Sequence, residues 1–249
     1  MFQKIAILAL TLALMSGAAF GAAQQDVEAA AQAGKVAFIM VYDAAATELD
    51  AARQMTADAA RQIPGAVTVE LDRGESANAD FVAKYRLSAA PVPLILVSSS
   101  TGVIAGGLVA TQATVDRLVK LVPSPKKSAI IKALSEGNAV FITASRKTMT
   151  KAESVNSACA AACLQMEGKS VQVAVDMDDP AEAGFLTEMK VNLQATEPVT
   201  LVANAQGQIA GVYAGTVQVG DLVTAASKKV GGCCPSTVSN PNASCAPNK

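Results

Sequence analysis

GKVAFIMVY at residues 34–42 and GNAVFITAS at residues 137–145 open two copies of one pattern, and the recurrence decides the fold. From this match the correspondence runs on along both copies. Leu71, Asp72 and Phe81 correspond to Val175, Asp176 and Phe185, and Pro93 with Gly102 corresponds to Pro198 with Gly207. Ile104, Ala105, Gly106 and Thr111 return as Ile209, Ala210, Gly211 and Thr216. The offset drifts only from 103 to 105, which means small loop changes inside two copies of one unit.

Each copy alternates in the way a parallel pair with a crossover helix requires. VAFIMVY is apolar throughout, as a strand covered on both faces must be. A helix follows over residues 49–62, then a strand at 66–71, with Pro64 and Gly65 as punctuation. A short helix at 78–85, the strand PLILV, a turn at 99–102, the strand VIAGGLV and a closing helix at 114–121 complete the unit. The second copy repeats the order: VFITA, a helix at 151–166, VQVAVD, a helix at 181–189, VTLVA, a turn at 204–207, QIAGVYA and a helix at 217–229. Strand, crossover and terminal hairpin make a three-layer α/β domain.

The chain has 249 residues, enough for two domains of roughly 100 residues each. Its charge is sparse and balanced at −1, with no basic stripe, so nucleic-acid binding is excluded as a reading. Lys4, the apolar run 5–15 and small residues up to Gly21 match a signal peptide over 1–21 cleaved before Ala22. An uncleaved anchor is the alternative, and after cleavage no later segment is apolar enough to span a membrane. A periplasmic or secreted location follows. The expected division is a first domain over 22–122, a linker over 123–127 around Pro123, Ser124 and Pro125, a second domain over 128–230, and a Cys-rich tail over 231–249.

The succession strand, helix, strand, helix, proline, hairpin, helix resembles the thioredoxin fold. Two such units in tandem are similar to the non-catalytic modules of protein disulfide isomerases. The resemblance implies a cis-proline before the hairpin strand, in a loop that faces partners. KYRLSAAP nominates Pro91 for that role, whereas spacing to the turn glycine nominates Pro93 and Pro198, which the repeat itself aligns. It also implies a protein partner or client.

The departure from the family is chemical. A redox thioredoxin carries its nucleophilic Cys at the start of the first long helix, where unpaired N–H groups and the helix dipole lower the thiol pKa. Here the junctions are YDAAATELD and SRKTMTKAES; Asp43 and the stretch from Arg146 to Met149 can neither form nor exchange a disulfide. All five cysteines lie in the second half.

Cys159 and Cys163 stand at i and i+4 in a predicted helix, on one side with Val155 and Met166. One reading is a core stripe, with Met55 and Ala59 as the first-copy equivalents; the other is a soft-metal site in which two thiolates and the Met166 thioether hold copper(I). The tail holds Cys233, Cys234 and Cys245 in a Gly/Pro/Ser/Asn-rich stretch with no apolar period. Cys245 paired with Cys233 or Cys234 is a disulfide staple; the same three thiols could bind copper(I) or, incompletely, zinc. With no His, a Ser-His-Asp or Cys-His arrangement is absent.

Two functions compete. One is an exported binding or adaptor module, not an enzyme, whose tail handles thiols or a soft metal. The alternative is an unconventional thiol-disulfide oxidoreductase using Cys233 and Cys234 as a mobile dithiol.

Overall fold

The structure is a computed structural model and describes residues 22–229. Its elements run α1 (Ala22–Gln32), β1 (Ala37–Tyr42), α2 (Leu49–Gln62), β2 (Val67–Asp72), α3 (Ala79–Lys84), β3 (Leu94–Ser98), β4 (Ile104–Val109) and α4 (Val115–Lys120). They continue as α5 (Pro125–Ser135), β5 (Ala139–Ser145), α6 (Ala152–Gln165), β6 (Ser170–Asp176), α7 (Ala183–Glu188), β7 (Val199–Ala203), β8 (Ile209–Ala214) and α8 (Val219–Ser227). The strands form two four-stranded sheets of identical plan, β2-β1-β3-β4 and β6-β5-β7-β8. In each, the first two strands are parallel and the remaining pairs antiparallel. This is the strand order of two thioredoxin-like α/β domains.

Strand registers confirm the repeat residue by residue. Met40 pairs with Ile95 where Thr143 pairs with Thr200, and Leu94 pairs with Val109 where Val199 pairs with Ala214. Both hairpins shift register at the same place, between Val97 and Ser98 and between Val202 and Ala203. Both turn through a glycine at positive φ, Gly102 at 82° and Gly207 at 76°, a conformation that costs a side chain strain.

The central strands are apolar because both faces are covered. In domain 1, Ile39, Val41 and Leu71 pack under Val27 of α1 and Phe81 of α3, while Phe38, Ile95 and Val97 pack under Ala59 of α2 and Leu118 of α4. Domain 2 repeats this: Ile142 and Val175 lie under Ile130 and Phe185, and Phe141 and Val202 lie under Val155, Cys159 and Leu222. Phe38 and Phe141 are fully buried, each contributing about 2–3 kcal/mol of transfer free energy.

Two expectations from the sequence change here. The segment 123–127 is no free linker, since Pro125 begins α5 and the Ser124 side chain caps it by accepting from Lys127 N at 3.2 Å. Proline is favoured at the first helical position, where its missing N–H is harmless, so the residues that look like a boundary are a helix start. Consequently α5 repeats α1, with Ile130 and Ala133 standing where Val27 and Ala30 stand. The Glu182 carboxylate, 1% exposed, accepts from Ser124 Oγ at 2.5 Å and Lys126 N at 2.9 Å, holding this helix start on domain 2. The second change concerns α2 and α6, both of 14 residues, whose alignment places Thr56 and Ala60, not Met55 and Ala59, opposite Cys159 and Cys163. The burial phase decides it: Ala52, Thr56 and Ala59 are buried where Val155, Cys159 and Ala162 are.

Candidate functional site

The junction after the first strand of each domain is where a redox thioredoxin would carry its thiols. In domain 1 it carries Asp43, which accepts from Arg73 Nε at 2.9 Å, across the ends of β1 and β2. The same guanidinium donates from Nη1 to the carbonyls of Leu87 at 3.0 Å and Ala90 at 2.6 Å, in the loop leading to Pro93. The Arg73 and Asp43 side chains are 18% and 22% exposed. The hydrogen bonds from Arg73 hold the Asp43 carboxyl below its ordinary range, and the Ala45 N–H adds to this.

Domain 2 builds the same clamp with the charges exchanged. Arg146 now stands on the first strand's end, at the position of Asp43, and donates from Nε to Asp178 Oδ1 at 2.7 Å. Its other nitrogens donate to the carbonyl of Ala195 at 3.0 Å and to that of Leu193, again in the loop before the proline. Asp178 stands one residue past the counterpart of Arg73, because the N–H of Met177 takes the ladder bond to Ser145 that Arg73 N makes to Tyr42. Each clamp ties three chain segments with a planar, multidentate cation, a task for which arginine is suited. Sequence reasoning singled out Asp43 and Arg146 as lead-in residues and missed Arg73 and Asp178. The available signal was opposite charge at matched strand ends in both copies.

Pro93 and Pro198 hold equivalent places, both buried, with their carbonyls accepting from Ala110 N and Gly215 N at 2.8 Å each. The Val92–Pro93 bond is cis, the one cis bond among the described residues, whereas Glu197–Pro198 is trans. The cis expectation is thus corrected for Pro198. Trans is the default for an X-Pro bond, and Glu197, the residue before Pro198, pairs with Lys151. Pro91 is exposed and lies outside the strand.

The thiols lie elsewhere. Cys159 is fully buried among Phe141, Val155 and Val202, and burial pushes its thiol up to about 12, with Cys163 adding to the shift. Cys163 and Met166 are half-buried against the same cluster. Among the described residues no group of three or more His, Cys, Asp and Glu could hold a metal ion, and no helix is long and apolar enough to cross a membrane. Cys233, Cys234 and Cys245 lie outside the described residues, as does the proposed cleavage site before Ala22.

Solved structures similar to this chain are thioredoxin-domain proteins. The first two thioredoxin domains of Saccharomyces cerevisiae Eps1p align at 9% identity over 82% of this chain and 95% of theirs, with a TM-score of 0.32. The zinc-bound form of human ERp44 aligns at 10% identity over 82% of this chain and 55% of its own, with a TM-score of 0.33. The N-terminal domain of the alkylhydroperoxide reductase AhpF from Enterococcus faecalis aligns at 13% identity over 82% and 97%, with a TM-score of 0.25. Such values leave the fold to rest on strand order and register. No family model and no curated protein matches the chain.

Proposed function

We propose that the protein is an exported thioredoxin-like binding or adaptor module that holds a protein partner or client beside the loops ending in Pro93 and Pro198. The observation that carries this reading is the pair of charge-exchanged clamps. Arg73 with Asp43, and Arg146 with Asp178, occupy both junctions where dithiol chemistry would be done, and fasten the proline loops in place of reacting with them. A guanidinium–carboxylate pair has no exchangeable sulfur, and Cys159, with a thiol near 12, is a poor nucleophile. Export is supported by the apolar run at 5–15 followed by small residues, and N-terminal sequencing of protein from the exported fraction should begin at Ala22.

The tail is the part assigned to thiol or soft-metal handling, since Cys233, Cys234 and Cys245 fall within a short stretch free of apolar periodicity. Copper(I) titration of the reduced full chain is expected to show binding that a Cys233→Ser, Cys234→Ser variant loses; zinc is the second probe. Insulin reduction separates the adaptor from the oxidoreductase reading. The adaptor reading expects no turnover by the intact, reduced chain together with saturable capture of a reduced, unfolded protein. Turnover abolished by Cys233→Ser, Cys234→Ser would overturn it in favour of a tail-borne dithiol.

A further inference from the structure

Domain 2 differs from domain 1 at four matched positions that sit together. Where domain 1 has Arg53, Glu70, Met40 and Ile95, domain 2 has Asn156, Ala174, Thr143 and Thr200. In domain 1, Arg53 spans from α2 to β2, donating to Glu70 at 2.8 and 3.1 Å and to Asp50 at 3.2 Å. Beside Asn156 the surface of domain 2 carries an open hollow of about 610 Å³ along α6 and Gln172 of β6, edged by Lys147, Thr150, Glu153, Asn156, Ser157 and Gln172. It borders a second hollow of about 280 Å³ that shares Lys147, Ala152 and Asn156.

The floor of this cleft is built. Asn156 Oδ1 accepts from Thr143 Oγ1 at 2.8 Å and from Gln172 Nε2 at 3.1 Å, and the same Nε2 donates to the Asn156 carbonyl at 3.2 Å. Thr143 is 1% exposed and pairs across the sheet with Thr200, whose buried hydroxyl has no partner. Polar groups have thus replaced the apolar pair Met40 and Ile95 in the core beneath, at a cost that folding alone does not require. Asn156 Nδ2 and Gln172 Oε1 take no part in these bonds, which leaves one donor and one acceptor on two side-chain amides already joined to each other. The N–H and C=O of one extended residue, which point the same way, are the complement of that pair. Lys147 and Glu153, in no ion pair among the described residues, add one charge of each sign at the rim. The apolar lining is limited to Met149, Ala152 and Ala160, which disfavours a greasy ligand, and Glu153 disfavours a phosphate.

We propose that this cleft binds an extended peptide segment through the main chain of one residue, whose carbonyl accepts from Asn156 Nδ2 and whose N–H donates to Gln172 Oε1. Acidic and basic side chains of the segment face Lys147 and Glu153. The proposal deepens the partner-binding reading and rests on it, naming the chemistry of what is held. Nuclear magnetic resonance on the labelled full chain tests it, with millimolar acetyl-Glu-Ala-Ala-Lys-amide as probe and an equimolar mixture of free glutamate and lysine as control. Expected are shifts in the side-chain amides of Asn156 and Gln172 and along the first turns of α6, absent with the control. Asn156→Arg, which installs the residue of domain 1, should weaken binding by roughly tenfold or more, and Lys147→Ala, which leaves the floor intact, by a few-fold. Shifts equal in the free amino-acid control, no shifts at the cleft, or undiminished binding by both variants would overturn the proposal. Capture of a reduced, unfolded protein by Asn156→Arg reads separately: capture at the wild-type level, with peptide shifts absent from wild type, sinks the cleft and leaves the clamp-based reading standing.

Discussion

The two junctions solve one mechanical problem with opposite charges, and the difference shows what was kept through the duplication. Domain 1 places the carboxylate at the end of its first strand and the guanidinium after its second; domain 2 reverses them. Neither identity nor sign survived, yet in both the arginine reaches the carbonyls of the proline loop. What persists is the tie between three chain segments. In each domain the guanidinium joins the ends of two strands to the loop before the proline. The domains also part in burial: the Asp43 side chain is 22% exposed and that of Asp178 is 62%. The first clamp should therefore matter more.

Four measurements test how far the two domains differ. The largest effect concerns the asymmetry in sulfur. Cys159, with its thiol near 12, should react with iodoacetamide in the native chain about a thousand-fold more slowly than a free thiol of ordinary pKa near 8.5, and at the normal rate once unfolded. Rapid native labelling of Cys159, found by peptide mapping, would contradict its place in the core. Its stability contribution is fully present below about pH 8.5 and fades as pH rises toward the folded value.

Next come the clamps. Arg73→Ala should cost about 2–3 kcal/mol, since it strands a half-buried carboxylate and two loop carbonyls, and Arg146→Ala about 1–2 kcal/mol, because Asp178 faces water. Urea unfolding of each variant measures both. Equal losses would mean that the carbonyl bonds, not the ion pairs, carry the tie.

Core polarity comes third. Thr200→Val should stabilise domain 2 by about 1 kcal/mol by removing an unpartnered buried hydroxyl, while Ile95→Thr should destabilise domain 1 by about 2 kcal/mol. A loss on Thr200→Val would show that its hydroxyl is satisfied in solution. The smallest effect is acid sensitivity. Asp43 is depressed in the folded state, so its contribution is present above the ordinary carboxylate pKa near 3.9 and lost as pH falls below it. Wild type should therefore lose more stability below about pH 4 than an Asp43→Asn variant, which urea unfolding at about pH 3 and about pH 6 measures.

Much of this was legible in the sequence. Apolar runs such as AFIMVY and VFITA announce buried strands because both faces of the sheet are covered, and the turn glycines Gly102 and Gly207 punctuate each hairpin. The span of α2 is readable to the residue, from its amphipathic period and the Pro64-Gly65 stop. The phase of α6 was not, because its alanines and cysteines give little contrast between faces; only the buried stripe Val155, Cys159, Ala162 fixes it. The start of α5 was hidden for a local reason, since Ser-Pro serves a helix N-terminus as well as a linker. The clamps were hidden for a long-range reason: Arg73 and Asp43 are 30 residues apart, and no periodicity links a strand end to the loop carbonyls it will meet.

By itself, then, the chain determined the duplication, the order of strands and helices, and the absence of thiols where the fold would use them. These follow from hydrophobic period and turn chemistry, which are written locally. Packing decided that arginine–carboxylate ties fill the two junctions, that one proline bond is cis and its repeat trans, and that Asn156, where domain 1 has Arg53, joins Thr143 and Gln172 at the edge of a cleft. Those outcomes depend on which groups are brought together across sequence-distant segments, and that is set by packing, not by pattern.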